Sequence, residues 1–186
     1  MEHAAEGLFD RAPVTTWNRG GTAEVIWSSG ANHRGMEPHK AGCEQNIIVF
    51  DSGGYAYRLC KVPAGGISKV TEQCFRDGHL SFSGEHTWIW QKTKTKGNPL
   101  TINNADWKQQ RAVRTRQGTT PRGSQWAKID LPAPPTSSNG VKGLWTFLDY
   151  VEVPASLEPG RYVLSFRWDA QGTPQVWNSC ANINIV

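Results

Sequence analysis

The stretch "GRYVLSFRWDAQGTPQVWNSCANINIV", residues 160–186, decides the fold. Its first part, "RYVLSFRW" (161–168), sends Tyr162, Leu164, Phe166 and Trp168 to one side and Val163, Ser165 and Arg167 to the other. A period of two is the mark of a strand with one face on a core. A polar turn comes next, and "ANINIV" (181–186) reads as a second strand. The turn between them carries Gln175, Trp177 and Cys180, side chains that a mere connection does not need.

The same alternation recurs upstream. "GGYAYRLC" (53–60) sets Tyr55, Tyr57 and Leu59 against Ala56, Arg58 and Cys60, and "HTWIWQ" (86–91) sets Trp88 and Trp90 against Thr87 and Ile89. "AEVIW" (23–27), "WAKID" (126–130) and "LWTFLDYVEV" (144–153) are further short apolar runs rich in β formers. Gly- and Pro-rich turn signals separate them, among them "VPAGG", "TKGNP", "TTPRGS" and "PAPPTSSNG". No long helical pattern occurs, and "NNADWKQQRAV" (103–113) offers a short helical turn at most. About seven short strands with frequent turns predict an all-β sandwich with long loops. The loop at 132–140 is no domain boundary, because the chain beyond it is too short to fold alone. A chain of 186 residues is one domain on this reading: an irregular segment at 1–13, then a single sandwich over 14–186.

The composition agrees. Nineteen Gly and eleven Pro, with 19% charged residues, suit a loop-rich β domain. No apolar run approaches the roughly 18 residues of a membrane span, so no membrane partner is expected. "MEHAAEGLFD" lacks the apolar stretch of a signal peptide. Net charge is +4, but its distribution matters more. Residues 92–128 hold nine of the 20 Lys and Arg and one acid, Asp106, leaving 11 bases and 15 acids elsewhere, a net −4. A basic segment on an acidic body is either a face for anionic ligands or a pair of solvated loops. Interleaved Trp107 and Trp126 fit the electrostatic pattern of a nucleic-acid binder, yet no binding motif accompanies them, so no nucleic-acid partner is expected.

Cysteines stand at 43, 60, 74 and 180. None forms a CxxC pair, which argues against zinc. Cys60 and Cys74 flank the compact Gly-rich "KVPAGGISKVTEQ", a loop that a local disulfide would close in an oxidising compartment. There is no GxSxG, HExxH, P-loop or GxGxxG. Of the five histidines, His33 in "SSGANHRG" sits in a turn just after a strand. His39 comes six residues later at a spacing matching no standard metal site. His79 and His86 flank "LSFSGE" and would face each other across a hairpin.

Two segments together resemble a known family. "YVLSFRWD…TPQVWNSCANINIV", with Gln175, Val176, Trp177 and then Cys180, resembles the C-terminal end of lytic polysaccharide monooxygenases and chitin-binding type-4-like domains. "ANHRG" with "GGYAYRLC" after it is similar to the family's second-histidine segment. The resemblance implies an immunoglobulin-like β-sandwich and one copper held by a histidine brace: the amine and ring of an N-terminal His, plus a second His. By it, His33 is the second ligand, Trp177 takes the axial position where Tyr or Phe is commoner, and Gln175 positions the oxygen species.

The chain departs from the family pattern in three places. No His stands at its first position, so the brace histidine is expected upstream or lacking. Residues 36–52, "MEPHKAGCEQNIIVFDS", interrupt a stretch that relatives run together, as either a functional loop or a gene-model artefact. Ala170 stands where some relatives carry a Cys, leaving Cys180 to pair with Cys43 or stay free.

The resulting expectation is a polysaccharide-interacting domain related to copper-dependent monooxygenases, truncated or degenerate as given, with copper as cofactor if active. It is expected to be extracellular and monomeric. Trp107, Lys108, Arg111, Arg114 and Arg116 are candidate substrate contacts for a glycan, anionic if the basic segment serves it. The alternatives are a non-catalytic glycan-binding domain and a fibronectin-like adhesion module. "LEPGRY" resembles the corner before a late strand of such modules, where a Tyr hydroxyl ties back to the backbone.

Overall fold

The computed structural model describes residues 12–29, 54–92, 107–128, 144–170 and 175–186. His33, Cys43, the 36–52 insertion, the 132–140 loop and most of the 1–13 segment lie outside the described residues.

Among the described residues, ten strands form two sheets. In chain order they are β1 (Val14–Trp17), β2 (Thr22–Ser29), β3 (Gly54–Lys61), β4 (His86–Lys92), β5 (Lys108–Arg111), β6 (Arg114–Thr115), β7 (Trp126–Lys128), β8 (Leu144–Glu152), β9 (Gly160–Asp169) and β10 (Val176–Ile185). One sheet runs β1-β10-β9-β3-β7-β6 and the other β2-β8-β4-β5. Neighbouring strands pair antiparallel except β1 beside β10, where Val14–Trp17 run parallel to Asn182–Ile185. This is the all-β, immunoglobulin-like sandwich that the alternation predicts.

The last hairpin is longer than its sequence suggests. Val176 pairs with Asp169, and the ladder runs without a break to Ile185 opposite Gly160. Trp177 and Cys180 therefore belong to the strand and not to the turn. The polar side chains of "NSC" hide this, because their backbone pairs with β9 while their side chains stay exposed. The helical turn considered within "NNADWKQQRAV" is likewise corrected over its described part: Lys108–Arg111 is an edge strand on β4.

Between the sheets, Trp27 stacks on its cross-strand partner Phe147 with ring centroids 4.2 Å apart, and reaches Phe166 of the other sheet at 4.4 Å. Such aromatic contacts add to plain area burial. Tyr162 makes the corner expected at "LEPGRY": its hydroxyl donates to the Glu158 carbonyl at 2.9 Å.

Strand β3 departs from the half-buried expectation, since every residue from Gly54 to Cys60 is buried. The segment after it folds back over its outer face. There Cys60 and Cys74 form the expected disulfide, with Cα atoms 5.5 Å apart. Cys74 lies in a short helix, α1 (Glu72–Asp77), whose N-cap Thr71 accepts from the Cys74 amide at 3.2 Å. The disulfide thus pins α1 onto the sheet. Cys180 is a free, exposed thiol.

Candidate functional site at the open end of the last hairpin

Two buried polar clusters hold the frame on which any site is built. On β8, Asp149 points between the sheets and is 0% exposed. Its carboxylate accepts from the Tyr55 and Tyr57 hydroxyls of β3, each at 2.9 Å, and from Thr87 of β4 at 2.6 Å. Arg114 approaches it at 4.0 Å. Burial pushes the Asp149 carboxyl up from its ordinary value, against the pull of its three donors and Arg114. Both tyrosines are pushed well above 10, first by burial and then by the adjacent carboxylate.

The second cluster lies under α1. Arg58, 2% exposed, donates to Glu72 at 2.7 Å and to Ser165 at 2.9 Å, and sits over the Phe75 ring. Arg167 joins Glu72 at 3.0 Å and grips Asp169 through two hydrogen bonds. His79 packs beside Trp126, and burial, with Arg58 and Arg167 nearby, lowers its pKa to about 4. A neutral imidazole near two guanidiniums is a poor place for a metal cation. His86 lies on β4 opposite Arg111 and exposed, so the two histidines do not face each other as the hairpin reading expected.

At one end of the sandwich the strands leave a cleft of about 640 Å³ between the β10 edge of one sheet and the β2 edge of the other. Trp27, Tyr57, Leu164, Phe166, Trp168 and Trp177 give it a largely aromatic wall. Trp177 is 47% exposed and faces its cross-strand partner Trp168, with centroids 6.4 Å apart and planes 27° from parallel. Gln175 is exposed at the mouth of the hairpin, and its carbonyl accepts from the Ala170 amide at 3.0 Å. Ser28, near the end of β2, lines the same cleft, and Gly54, the start of β3, pairs with Asp169 at the same end of β9. The chain therefore leaves β2 and re-enters β3 at the hairpin's end of the sandwich. His33 falls between those two points in sequence, outside the described residues.

The proposed basic contacts separate. Trp107 packs on Trp90 with centroids 6.3 Å apart, and Lys108 and Arg111 are exposed on the edge strand β5. Arg114 is turned inward: it lies over Phe82, donates to the Gly84 and His86 carbonyls and faces Asp149. Arg116 donates to the Gly123 carbonyl and to Ser81, holding its own loop. These two guanidiniums are committed to the fold, and neither borders the cleft. Sequence reasoning missed both buried clusters, although Asp149 on the Phe147–Val151 face of an alternating strand was a signal for the first.

Among the described residues no group of three His, Cys, Asp or Glu side chains could hold a metal. Copper therefore does not fit the described residues by themselves.

An aromatic cleft at one end of a two-sheet sandwich defines a class of β-sandwich binding domains. Comparison with known proteins narrows this. The chain is 27% identical over 180 residues to the AA13 family lytic polysaccharide monooxygenase A of Aspergillus terreus, a match that covers 93% of this chain. It is 25% identical over 180 residues to the enzyme of the same description from Pyricularia oryzae, covering 94%. The chain spans about two fifths of the length of these curated relatives, 41% and 43%. No protein-family model matches. A family 123 glycoside hydrolase from Clostridium perfringens overlaps 98% of this chain and 25% of its own at 8% identity, but the TM-score of 0.33 is too low to carry a shared fold. The chain is thus distantly similar to lytic polysaccharide monooxygenases, in agreement with the resemblance of its last hairpin.

Proposed function

We propose that this chain is a polysaccharide-interacting domain related to copper-dependent lytic polysaccharide monooxygenases, with its working surface at the open end of the β9–β10 hairpin. The observation that carries the reading is the exposed Trp177, backed by Trp168, at the end of the sandwich where residues 30–53 leave and return. Trp177 in the axial place and Gln175 beside the oxygen species are the roles the family resemblance implies, and their position at the hairpin mouth supports them. Copper enters only through His33, which would need further nitrogen ligands, because Cu(II) prefers several in a tetragonal arrangement. When bound, it would supply oxidation of a C–H bond beside a glycosidic link. The Cys60–Cys74 disulfide supports an extracellular setting.

The test compares the chain beginning at Met1 with a form that carries a His-initiated segment upstream. Each is titrated with Cu(II) by calorimetry and assayed for oxidised oligosaccharides with a reductant. The expected result is weak copper binding and no oxidised product from the first form, and tight binding with product from the second. Failure of both forms to bind copper or retain any polysaccharide would overturn the reading.

A non-catalytic glycan-binding role is favoured by one specific feature. The Trp177 ring is accessible to a sugar without any metal, since nearly half of the residue faces solvent. Retention on polysaccharide that is lost in Trp177→Ala and unaffected by chelator would select that role.

A further inference from the structure

The outer face of the four-stranded sheet carries apolar side chains that the core does not use. In a sandwich, strand alternation sends one face inward and the other to water. Here Ile26, Leu148 and Trp88 stand side by side in register across β2, β8 and β4, and Gln109 on β5 completes the row. Tyr150 lies on the same face two residues from Leu148, and its hydroxyl donates to Glu24 at 3.4 Å. Ile26 is 49% exposed and Tyr150 37%, while Leu148 and Trp88 are half-buried. Ile26 also borders the cleft that holds Trp177, so it joins the two surfaces around the edge strand β2.

We propose that this face is a second contact surface for a neutral polysaccharide, continuous with the cleft through Ile26; the inference rests on the polysaccharide reading above. Pyranose rings present apolar C–H faces that stack on aromatic and aliphatic side chains, and hydroxyl edges that need donors and acceptors. The row supplies the first and Glu24, Gln109 and Arg111 the second. Strands lie about 4.8 Å apart, so a linear chain laid across the sheet meets one side chain per strand. The strip is a single row of side chains wide. A stable protein partner buries about 800 Å² on each side, which this strip does not offer. The polar rim pairs one acid, Glu24, with one exposed base, Arg111, which favours a neutral ligand over a charged one.

Adsorption to granular starch, cellulose and chitin, in separate arms, tests this on the full chain. The variants are Ile26→Asp, Tyr150→Ala, their combination, and Trp177→Ala, each checked for an unchanged thermal midpoint. Ile26 and Tyr150 are exposed enough to be replaced without loss of the fold, and Trp88→Ala serves as a further variant. The expected result is retention of the unaltered chain on at least one polysaccharide, with a roughly five- to tenfold loss of partition in the Ile26→Asp/Tyr150→Ala protein, the size of one lost stacking contact. Retention unchanged in that protein but lost in Trp177→Ala would overturn the second surface and leave the cleft standing. No retention of the unaltered chain on any arm would overturn both. A dimer in sedimentation that Ile26→Asp dissociates would make a second copy the occupant and overturn the proposal.

Discussion

The Tyr57 hydroxyl on one sheet donates to the Asp149 carboxylate on the other at 2.9 Å, across the middle of the core. With Tyr55 and Thr87 it turns a buried acid into a cross-link between the layers. Asp149→Ala would strand three hydroxyls and leave Arg114 without its anion, and removing one partner of a buried charge pair costs about 3–5 kcal/mol. Tyr57→Phe removes one neutral donor and should cost about 1–2 kcal/mol. Urea unfolding at constant slope measures both, and an Asp149→Ala protein as stable as the original would show that the cluster is not a structural cross-link.

His79 gives the acid side of the stability curve its slope. Its folded pKa of about 4 lies below the ordinary 6.5, so it contributes stability that is present above pH 6.5 and lost as pH falls towards 4. Asp149 acts in the opposite sense, because its raised pKa favours the protonated acid and its contribution is lost as pH rises through that value. The His79 effect is on the order of 1–3 kcal/mol. His79→Gln should flatten the unfolding free energy between pH 6.5 and 4, and an unaltered slope there would refute the assignment.

Reduction of the Cys60–Cys74 bond releases α1 from β3. A closed loop of this length, with partners 14 positions apart, contributes about 3 kcal/mol in the chain-entropy picture. The Cys60→Ser/Cys74→Ser protein should be less stable by that amount, and residues 62–77 should lose amide protection before the sheets do. Simultaneous loss throughout would mean that the segment is no separate unit.

Gly78 is where α1 meets the sheet. A Cβ there would lie 1.8 Å from the Leu59 carbonyl oxygen, and the Gly78 carbonyl accepts from the Leu59 amide at 2.7 Å. Gly78→Ala must push the backbones apart and should cost about 1–3 kcal/mol. A thermal scan showing no change would mean that the helix can shift without penalty.

The strands were legible because "RYVLSFRW" and "LWTFLDYVEV" alternate over eight residues or more, and the Cys60–Cys74 pairing because a Gly-rich loop lies between them. Two features were not. Arg58 and Ser165 occupy the polar face of alternating strands and read as solvent-facing, yet α1 covers them, and nothing local in a six-residue helix announces where it will dock. The charge run at 92–128 reads as one surface, but Arg114 turns inward to Asp149, 35 positions away, which only the tertiary pairing of β8 with β4 brings near. At the candidate site the Gln175–Trp177 pattern was visible as a resemblance. The Trp168 backing and the cleft were not, because they depend on the gap between β2 and β10.

Strand β1 takes its place only against the final residues of β10, with Val14 beside Asn182. During synthesis the six-stranded sheet therefore has no finished edge until residues 182–185 have cleared the ribosome. Until then Trp17 and the inner faces of β9 and β3 remain uncovered on that side, so the nascent chain passes most of its synthesis as a client for chaperones rather than as a folding intermediate of its own.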